Sequence, residues 1–290
     1  MICTLCPRSC RIERADDEGK GVCGVGLLPR IARAGLHFDE EPVISGNGGS
    51  GTIFFSGCQL KCVFCQNYHI SHEAFGKTVT VERLKSIYHE LIQKGARNIN
   101  LVSASHYALA VAESLKEKLP VPVIWNSSGY EKVETLRMLE GKIDVYLPDF
   151  KYAEREPAEK YSLAPDYFEH ASKAIKEMLR QTGDVVLDEN GNIQKGVIIR
   201  HLILPGQVEN SKRVLDYISR HFEGAWVSLM AQYVPMGNAG KYPEINRPIT
   251  QEEYDEVVSY MLDLGLEDGF IQDLESADSK YTPSFDLTGV

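Results

Sequence analysis

Three cysteines on one short loop constrain this 290-residue chain more than any other feature of its sequence. Cys58, Cys62 and Cys65 have the spacing C-x3-C-x2-C, and they follow directly on the apolar run 51–55. Iron–sulfur clusters of the 4Fe–4S type normally take four cysteine ligands. Three thiolates on one loop therefore predict a 4Fe–4S cluster with one iron open to another ligand.

The same loop allows a second interpretation. Tetrahedral zinc also accepts cysteine and histidine ligands. His69 or His72 follows the loop closely enough in sequence to complete a zinc knuckle. Zinc at the loop is therefore the alternative to the cluster.

A second group of four cysteines lies at the N-terminus, with the spacing C-x2-C-x3-C-x12-C: Cys3, Cys6, Cys10 and Cys23. Four thiolates make a complete site for zinc or for a second iron–sulfur cluster, and the spacing leaves both open. All seven cysteines lie before position 66. An odd, clustered set is a poor disulfide framework and predicts metal ligation in a reducing compartment, so we expect a cytoplasmic protein.

Composition narrows the class of partner. The chain is 43% hydrophobic and 25% charged, as is typical of a soluble globular enzyme. Its net charge of −10 argues against non-specific nucleic-acid binding, which needs a basic surface, so we expect no nucleic-acid partner. Because the sequence contains no apolar run of membrane-spanning length and no secretory signal pattern, we expect no membrane partner.

The pattern of apolar runs predicts an α/β fold. Strand-like runs alternate with helical patterns, and several strands are apolar on both faces, as in parallel sheets covered by helices. The predicted strands are 52–56, 98–103, 121–126, 143–150, 197–204, 225–231 and a short 269–272. The predicted helices are one from a Thr80 cap to Gly95, then 107–118, 131–140, 166–181, 208–221 and 250–264.

Six such βα units predict a partial (β/α)6 TIM-like barrel with its chemistry at the C-terminal ends of the strands. We expect an irregular cysteine-rich extension over 1–45, the barrel over 46–272 and a polar tail over 273–290. The Gly-rich run 45–51 predicts a flexible connection, and 184–196 predicts a hairpin.

The cysteine loop, with the aromatic Phe64 before its last cysteine, resembles the signature of the radical S-adenosylmethionine (SAM) superfamily. The runs 6–10 (Cys-Pro-Arg-Ser-Cys) and 50–58 are similar to those of uncharacterised homologues of the activating enzymes of glycyl radical enzymes, typified by pyruvate formate-lyase activating enzyme. This resemblance covers nearly the whole chain.

The resemblance implies an oxidoreductase. A 4Fe–4S cluster cleaves SAM reductively to a 5′-deoxyadenosyl radical, and that radical abstracts hydrogen from a substrate. A protein glycine in a glycyl radical enzyme is the implied substrate, with an electron donor such as flavodoxin or ferredoxin. Radical modification of another peptide or a small metabolite is the alternative. A non-catalytic zinc-binding or adaptor protein is the alternative of a different class.

The resemblance also implies SAM-binding positions on the second and third strands. The family binds the amino group of SAM with a Gly-Gly-Glu stretch, where this chain has Ser105, His106 and Tyr107 and no carboxylate. His106 or backbone carbonyls are the expected substitutes. Asn126 and Ser127 end the third strand, beside the expected SAM position.

Three later strands complete the expected site. Asp149 and Lys151 share one strand face and are expected to pair, the Asp near a monovalent cation. Arg200 is expected to face the SAM carboxylate, and His201, on the opposite face, to pack under a helix. Tyr233 stands where the family has a histidine near the methionine end of SAM. It is expected to line the cavity, and packing in the core is the alternative. No catalytic residue is assigned.

Overall fold

Parallel strands joined by helices form one open sheet. A computed structural model describes residues 1–276 and 283–290. The strands are β1 Arg30–His37, β2 Ser50–Phe55, β3 Lys77–Thr78, β4 Ile99–Val102, β5 Val123–Ser127, β6 Val145–Pro148, β7 Val186–Leu187, β8 Ile193–Leu202, β9 Trp226–Met230 and β10 Gly269–Ile271.

Nine α-helices lie among the described residues. Six of them were predicted, and their ends differ from the predicted ends by a few residues at most. They are α1 Pro42–Ser45, α2 Tyr68–Ser71, α3 Val81–Gln93, α4 Ala108–Ser114, α5 Val133–Arg137, α6 Arg155–Ser162, α7 Tyr167–Thr182, α8 Val208–His221 and α9 Gln251–Asp263. In the part of the chain that is described, none of them has the length and apolar character needed to span a bilayer.

The order of the sheet is β10-β9-β8-β6-β5-β4-β2-β1-β3, with β7 paired to β8. The strands from β2 to β10 along this path are parallel, while β1 runs antiparallel to β2 and β3. Every predicted strand is present. The predicted α/β class with an open, partial-barrel sheet is confirmed.

The central strands are buried on both faces with a period of two. Trp125, Tyr146 and Ile199 pack with the helices in the main core. Ile124 and Ile198, one position away from members of that set, belong to a second cluster on the other face. This alternation decides which polar side chains at the strand ends point into the interior.

Local signals set two of the elements as predicted. The Thr80 side chain caps α3 by accepting a hydrogen bond from the backbone of Arg83 at 3.1 Å, and Gly95 follows the helix with a φ of +93°. In the 184–196 hairpin, the Asp188 carboxylate accepts the backbone N–H of Asn192 at 2.8 Å.

Two predictions near the N-terminus are wrong in part. The extension 1–45 is not irregular throughout, because it contains the strand β1 Arg30–His37. The run 45–51 is not a flexible connection throughout, because Ser50 and Gly51 are buried residues of β2. A Cβ at Gly51 would lie 2.8 Å from the Asn98 carbonyl oxygen, so this glycine allows close strand approach instead of flexibility.

The C-terminal tail is hydrogen-bonded to β1. The strand pairs with β2, and its backbone also exchanges hydrogen bonds with Leu287 and Thr288 of the tail at 2.9 and 2.8 Å. Phe285 packs edge-on against Phe54 with ring centroids 5.5 Å apart. The proposed domain limits at 45 and 272 stay predictions, and residues 277–282 of the tail lie outside the described part of the chain.

His201 ties β8 to α8. Its Nδ1–H donates to the carbonyl oxygen of Phe150 at 2.7 Å, and its Nε2 accepts from the Ser211 hydroxyl at 2.8 Å. Burial lowers the pKa of His201 to about 4, from an ordinary value of 6.5. The imidazole is therefore neutral and packed under a helix, on the face opposite to Arg200.

We expect the His201→Gln variant to weaken the pH dependence of stability. Between about 4 and 6.5, the unfolded chain binds a proton at His201 that the folded chain does not, so the free energy of unfolding rises with pH. The slope from one such group is at most about 1.4 kcal/mol per pH unit. Urea titrations of both proteins at about pH 5 and about pH 6 measure the difference. Equal slopes would mean that His201 titrates alike in both states.

Candidate active site

A cavity of about 240 Å³ lies at the C-terminal ends of the parallel strands. All three loop cysteines, Cys58, Cys62 and Cys65, form part of its wall. Five consecutive strands of the parallel sheet each contribute a polar residue at their C-terminal ends: Ser103, Asn126, Asp149, Arg200 and Gln232. The position is the one that parallel α/β proteins use for chemistry.

Each loop sulfur accepts a hydrogen bond from a different donor. Cys58 accepts from the backbone N–H of Leu60 at 3.3 Å. Cys62 accepts from the hydroxyl of Ser162, at the end of α6, at 3.1 Å. Cys65 accepts from the hydroxyl of Ser71, in α2, at 3.3 Å. Hydrogen bonds of this kind stabilise ligating thiolates and tune clusters.

Burial raises the pKa of Cys62 to about 12 and also raises that of Cys65. Without a bound cation, the thiols of Cys62 and Cys65 are therefore protonated, and metal binding would convert them to thiolates. Within residues 1–276 and 283–290, no three Cys, His, Asp or Glu side chains already surround one point as metal ligands. The donor set itself, three thiols on one cavity wall with a hydrogen-bond donor each, fits a 4Fe–4S cluster.

The histidines of the zinc interpretation lie elsewhere. His69 is half exposed, and its Nδ1 pairs with the Glu73 carboxylate at 2.7 Å. His72 Nδ1 lies 2.9 Å from the hydroxyl of Ser71. Among the described residues that line the cavity, neither histidine is present.

Asp149 and Lys151 form the expected ion pair, with Nζ 2.6 Å from Oδ2. Both side chains are mostly buried and line the cavity. Burial disfavours the charged lysine, but the Asp149 carboxylate and the nearby Cys62 outweigh it, and the pKa of Lys151 rises to about 12. A cation is thus fixed beside the loop cysteines.

Arg200 points into the interior and binds two carboxylates. Its Nε donates to Glu41 Oε1 at 2.8 Å, and its Nη2 donates to both Glu40 and Glu41. Glu40 also accepts from the Asn100 amide at 2.9 Å. Burial alone would raise the pKa of Glu41, but Arg200 lowers it below its ordinary value.

Glu40 and Glu41 are site residues that the sequence reasoning missed. Both line the cavity, although they come from the segment between β1 and α1, outside the parallel strands. The one available signal was an adjacent acidic pair immediately before Pro42. Nothing in the sequence connects that pair to Arg200, which lies 159 positions beyond Glu41.

Two of the expected SAM positions, Ser105 and His106, do not reach the cavity, where Ser103 lines the wall instead. His106 is buried, and its Nε2–H donates to the Ser56 carbonyl oxygen at 2.9 Å. Its own carbonyl accepts from Arg14 at 2.9 Å. Burial lowers the pKa of His106 to about 3. The turn 105–107 packs the N-terminal extension against the barrel.

Asn126 and Ser127 do line the cavity, as expected. The Asn126 amide lies 3.5 Å from the Glu40 carboxylate. The Ser127 hydroxyl instead donates to the buried Glu131 carboxylate at 2.9 Å. Only the first of these two side chains is therefore directed toward the charged groups of the cavity.

Tyr233 is a core residue and not a cavity residue. Its hydroxyl donates to the Ile245 carbonyl oxygen at 2.7 Å, and its ring packs against Phe64 with centroids 5.8 Å apart. The preceding residue, Gln232, lines the cavity in its place. The expectation for Tyr233 is wrong because the chain directs this aromatic ring into the packed core.

The N-terminal cysteines lie close to one another. Cys3, Cys6 and Cys23 are buried, and Cys10 is half-buried. Burial raises the pKa of Cys6 to about 11, and the other three thiols add to the increase. Among the described residues, no three of these side chains are already arranged as metal ligands, so a metal at the second cysteine group stays a prediction.

Comparisons with known proteins identify a domain, a similar fold and a relative of this chain. Residues 44–162 match the family model of a 4Fe–4S single cluster domain. The fold is similar to that of spore photoproduct lyase: two mutant structures each give a TM-score of 0.51 at 11% identity. One alignment covers 75% of this chain and 74% of that chain, and the other covers 82% and 79%.

The match to the 4Fe–4S single cluster domain includes the cysteine loop, and the open α/β sheet is similar in fold to that of spore photoproduct lyase. The chain belongs to the family of the uncharacterised protein MJ0674 of Methanocaldococcus jannaschii. The two are 33% identical over 278 residues, which cover 90% of this chain and 76% of that protein.

We expect Lys151→Met to lower the free energy of unfolding of the cluster-free chain by about 3 kcal/mol, because the buried Asp149 carboxylate loses its partner. The double variant Asp149→Asn/Lys151→Met should recover most of that loss. Urea denaturation of the wild type, the single variants Asp149→Asn and Lys151→Met, and the double variant gives the coupling energy. Lys173→Met, which breaks the exposed pair with Glu169, is the control and should change little. Additive losses would argue against a coupled pair.

Proposed function

We propose that this protein is a radical SAM enzyme in which Cys58, Cys62 and Cys65 hold the cluster and the adjoining cavity binds SAM. The observation that carries the proposal is the meeting of three thiols and fixed charges of both signs on one cavity wall at the strand ends. When bound, the cluster and SAM supply one-electron cleavage of a carbon–sulfur bond and hydrogen abstraction from the substrate.

Arg200 and Glu40 are the proposed contacts for the amino-acid end of SAM. A carboxylate ligand suits the guanidinium of Arg200, and an ammonium group suits the carboxylate of Glu40. Two glutamates face one arginine, so this cluster of charges is net negative. SAM carries a net positive charge at neutral pH, so the negative charge of this cluster favours its binding. Glu40 thus supplies the carboxylate that is absent from 105–107.

Lys151 and Asp149 are proposed to support the cluster side of the cavity. The ammonium group of Lys151 acts on Cys62 and Cys65 and lowers the energy of their ionised forms. Asp149 keeps that ammonium charged and in place at 2.6 Å. The pair therefore provides a preorganised field without needing a proton transfer of its own.

Two substrate classes have support. The Asp149, Lys151 and Arg200 positions resemble those of glycyl radical activating enzymes, which favours a protein glycine and an electron donor such as flavodoxin or ferredoxin. Pro283 of the tail lines the cavity, and the tail is bonded to β1, which favours a smaller substrate enclosed by the chain's own terminus. Deuterium transfer from a labelled substrate into 5′-deoxyadenosine distinguishes the two.

We expect Cys62→Ala to lose one cluster, about four iron atoms per chain, and all reductive SAM cleavage. The measurement is iron content and 5′-deoxyadenosine after anaerobic reconstitution, followed by dithionite and SAM. Val111→Ala, a truncation in α4 away from the cavity, controls for a general loss of packing. Product from the Cys62 variant would overturn the ligand assignment.

We expect Glu40→Gln to weaken binding of S-adenosylhomocysteine about 10-fold, since a hydrogen bond to a charged group is lost. Binding of 5′-methylthioadenosine, which lacks the amino-acid end, should not change. Calorimetric titration of the cluster-loaded, oxidised protein measures both ligands. Glu113→Gln, at an exposed pair with Lys116, is the matched control. Equal losses for both ligands would indicate a structural effect, and no loss for either would remove Glu40 from the site.

A further inference from the structure

The N-terminal extension contacts the cysteine loop directly through Arg8. This residue lies inside the first cysteine group, between Cys6 and Cys10. Its Nε donates to the Gln59 carbonyl oxygen at 2.9 Å, and its Nη2 lies 3.3 Å from the Leu60 carbonyl oxygen. These two carbonyls belong to the loop between the first and second cluster cysteines. The guanidinium therefore fixes the backbone of the loop from outside the barrel.

The same guanidinium also holds the end of α6. It donates to the carbonyl oxygens of Ser162, at 2.8 Å, and of Leu163. The hydroxyl of Ser162 is the donor to Cys62. Arg8 stacks on Tyr130 as well, 5.4 Å from the ring centroid. One side chain thus fixes both the cysteine loop and the hydrogen-bond donor of its central sulfur.

A second contact joins the extension to the residue that precedes the loop. Gly57, the residue before Cys58, has a φ of +82°. A Cβ there would lie 2.7 Å from the carbonyl oxygen of Cys23. The backbone of Cys23 therefore packs on Gly57, the residue before the loop, at a position where only glycine fits.

Helix α5 anchors the extension from a third side. Lys132, its N-terminal neighbour, donates to the Thr4 carbonyl oxygen at 2.9 Å and to the Ser9 hydroxyl at 2.6 Å. The Thr135 hydroxyl donates to the Leu5 carbonyl oxygen at 2.6 Å. The residues on both sides of Arg8 are thus tied to the barrel, so the position of the guanidinium follows the fold of the four-cysteine segment.

We propose that Arg8 is a positioning residue for the Cys58–Cys65 loop, and that metal binding by the four N-terminal cysteines stabilises the cluster of the loop through it. The inference rests on the proposed cluster ligands. Four thiols with the spacing of a metal site enclose the arginine in sequence, and a metal ion would fix the segment that presents it. The extension is then a structural part of the cluster site.

The test compares Arg8→Gln with the wild-type chain after anaerobic reconstitution. We expect the variant to fold and bind 5′-methylthioadenosine normally, but to release its loop iron to a chelator about 10-fold faster, as followed by the loss of visible absorption. The rate of iron release from Arg8→Lys should lie between those of the wild-type chain and Arg8→Gln, because one ammonium group cannot reach four carbonyls. Arg11→Gln removes an exposed arginine of the same segment and is the control.

A second arm tests the metal. Cys6→Ser should lose either one zinc ion or the iron of one cluster, about four atoms per chain, by elemental analysis, and should also release the loop iron faster. Equal release rates for the Arg8→Gln, Arg8→Lys and wild-type chains would overturn the positioning role. A metal content unchanged by Cys6→Ser would overturn the metal role of the extension. A wild-type chain that takes up no loop cluster would instead refute the proposed function.

Discussion

The need to neutralise a buried arginine organises much of the site. Arg200 shares its face of β8 with Ile198, which belongs to an apolar interior cluster, and a lone charge there would be very costly. Glu40 and Glu41 remove that cost with hydrogen bonds to the same guanidinium. They come from the segment between β1 and α1, so this ion cluster fixes an N-terminal strand pair against the strand ends of the barrel. The cavity, its charge and the docking of β1 all depend on it.

The sequence predicts the parallel sheet well, since runs such as 197–204 are apolar on both faces and are bounded by clear helix signals. It does not predict β1. This strand contains two arginines, Arg30 and Arg33, together with Gly35 and His37, and its apolar and polar residues do not alternate regularly. This strand exists because β2 offers it an edge and the tail residues Leu287 and Thr288 offer it another set of backbone partners. Such partners are distant in sequence and invisible to a local pattern.

The direction of a side chain at the strand ends could be predicted where strand alternation decides it, but not where a turn or a distant residue decides it. Arg200 faces inward and His201 outward because neighbouring strand residues point to opposite faces. His106 lies in a 3-10 turn after β4, and Tyr233 lies beyond the end of β9, so no periodicity governs either side chain. Glu40 enters from outside the barrel and has no strand position from which it could be inferred.

The buried thiols of Cys62 and Cys65 do not ionise readily on their own, and many contacts from other elements surround them. Burial raises the pKa of Cys62 to about 12, and the charge of Lys151 and the hydrogen bond from the Ser162 hydroxyl act in the opposite direction, in favour of its ionised form. A loop of eight residues cannot hold such a geometry by its own backbone, since few of its hydrogen bonds are internal. Helix α2 and helix α6 supply two of the donors, and Arg8 holds the loop carbonyls. The proposed cluster site is therefore surrounded by elements on both sides of the loop, and the extension contacts the loop through Arg8 as closely as the barrel does through Ser71 and Ser162.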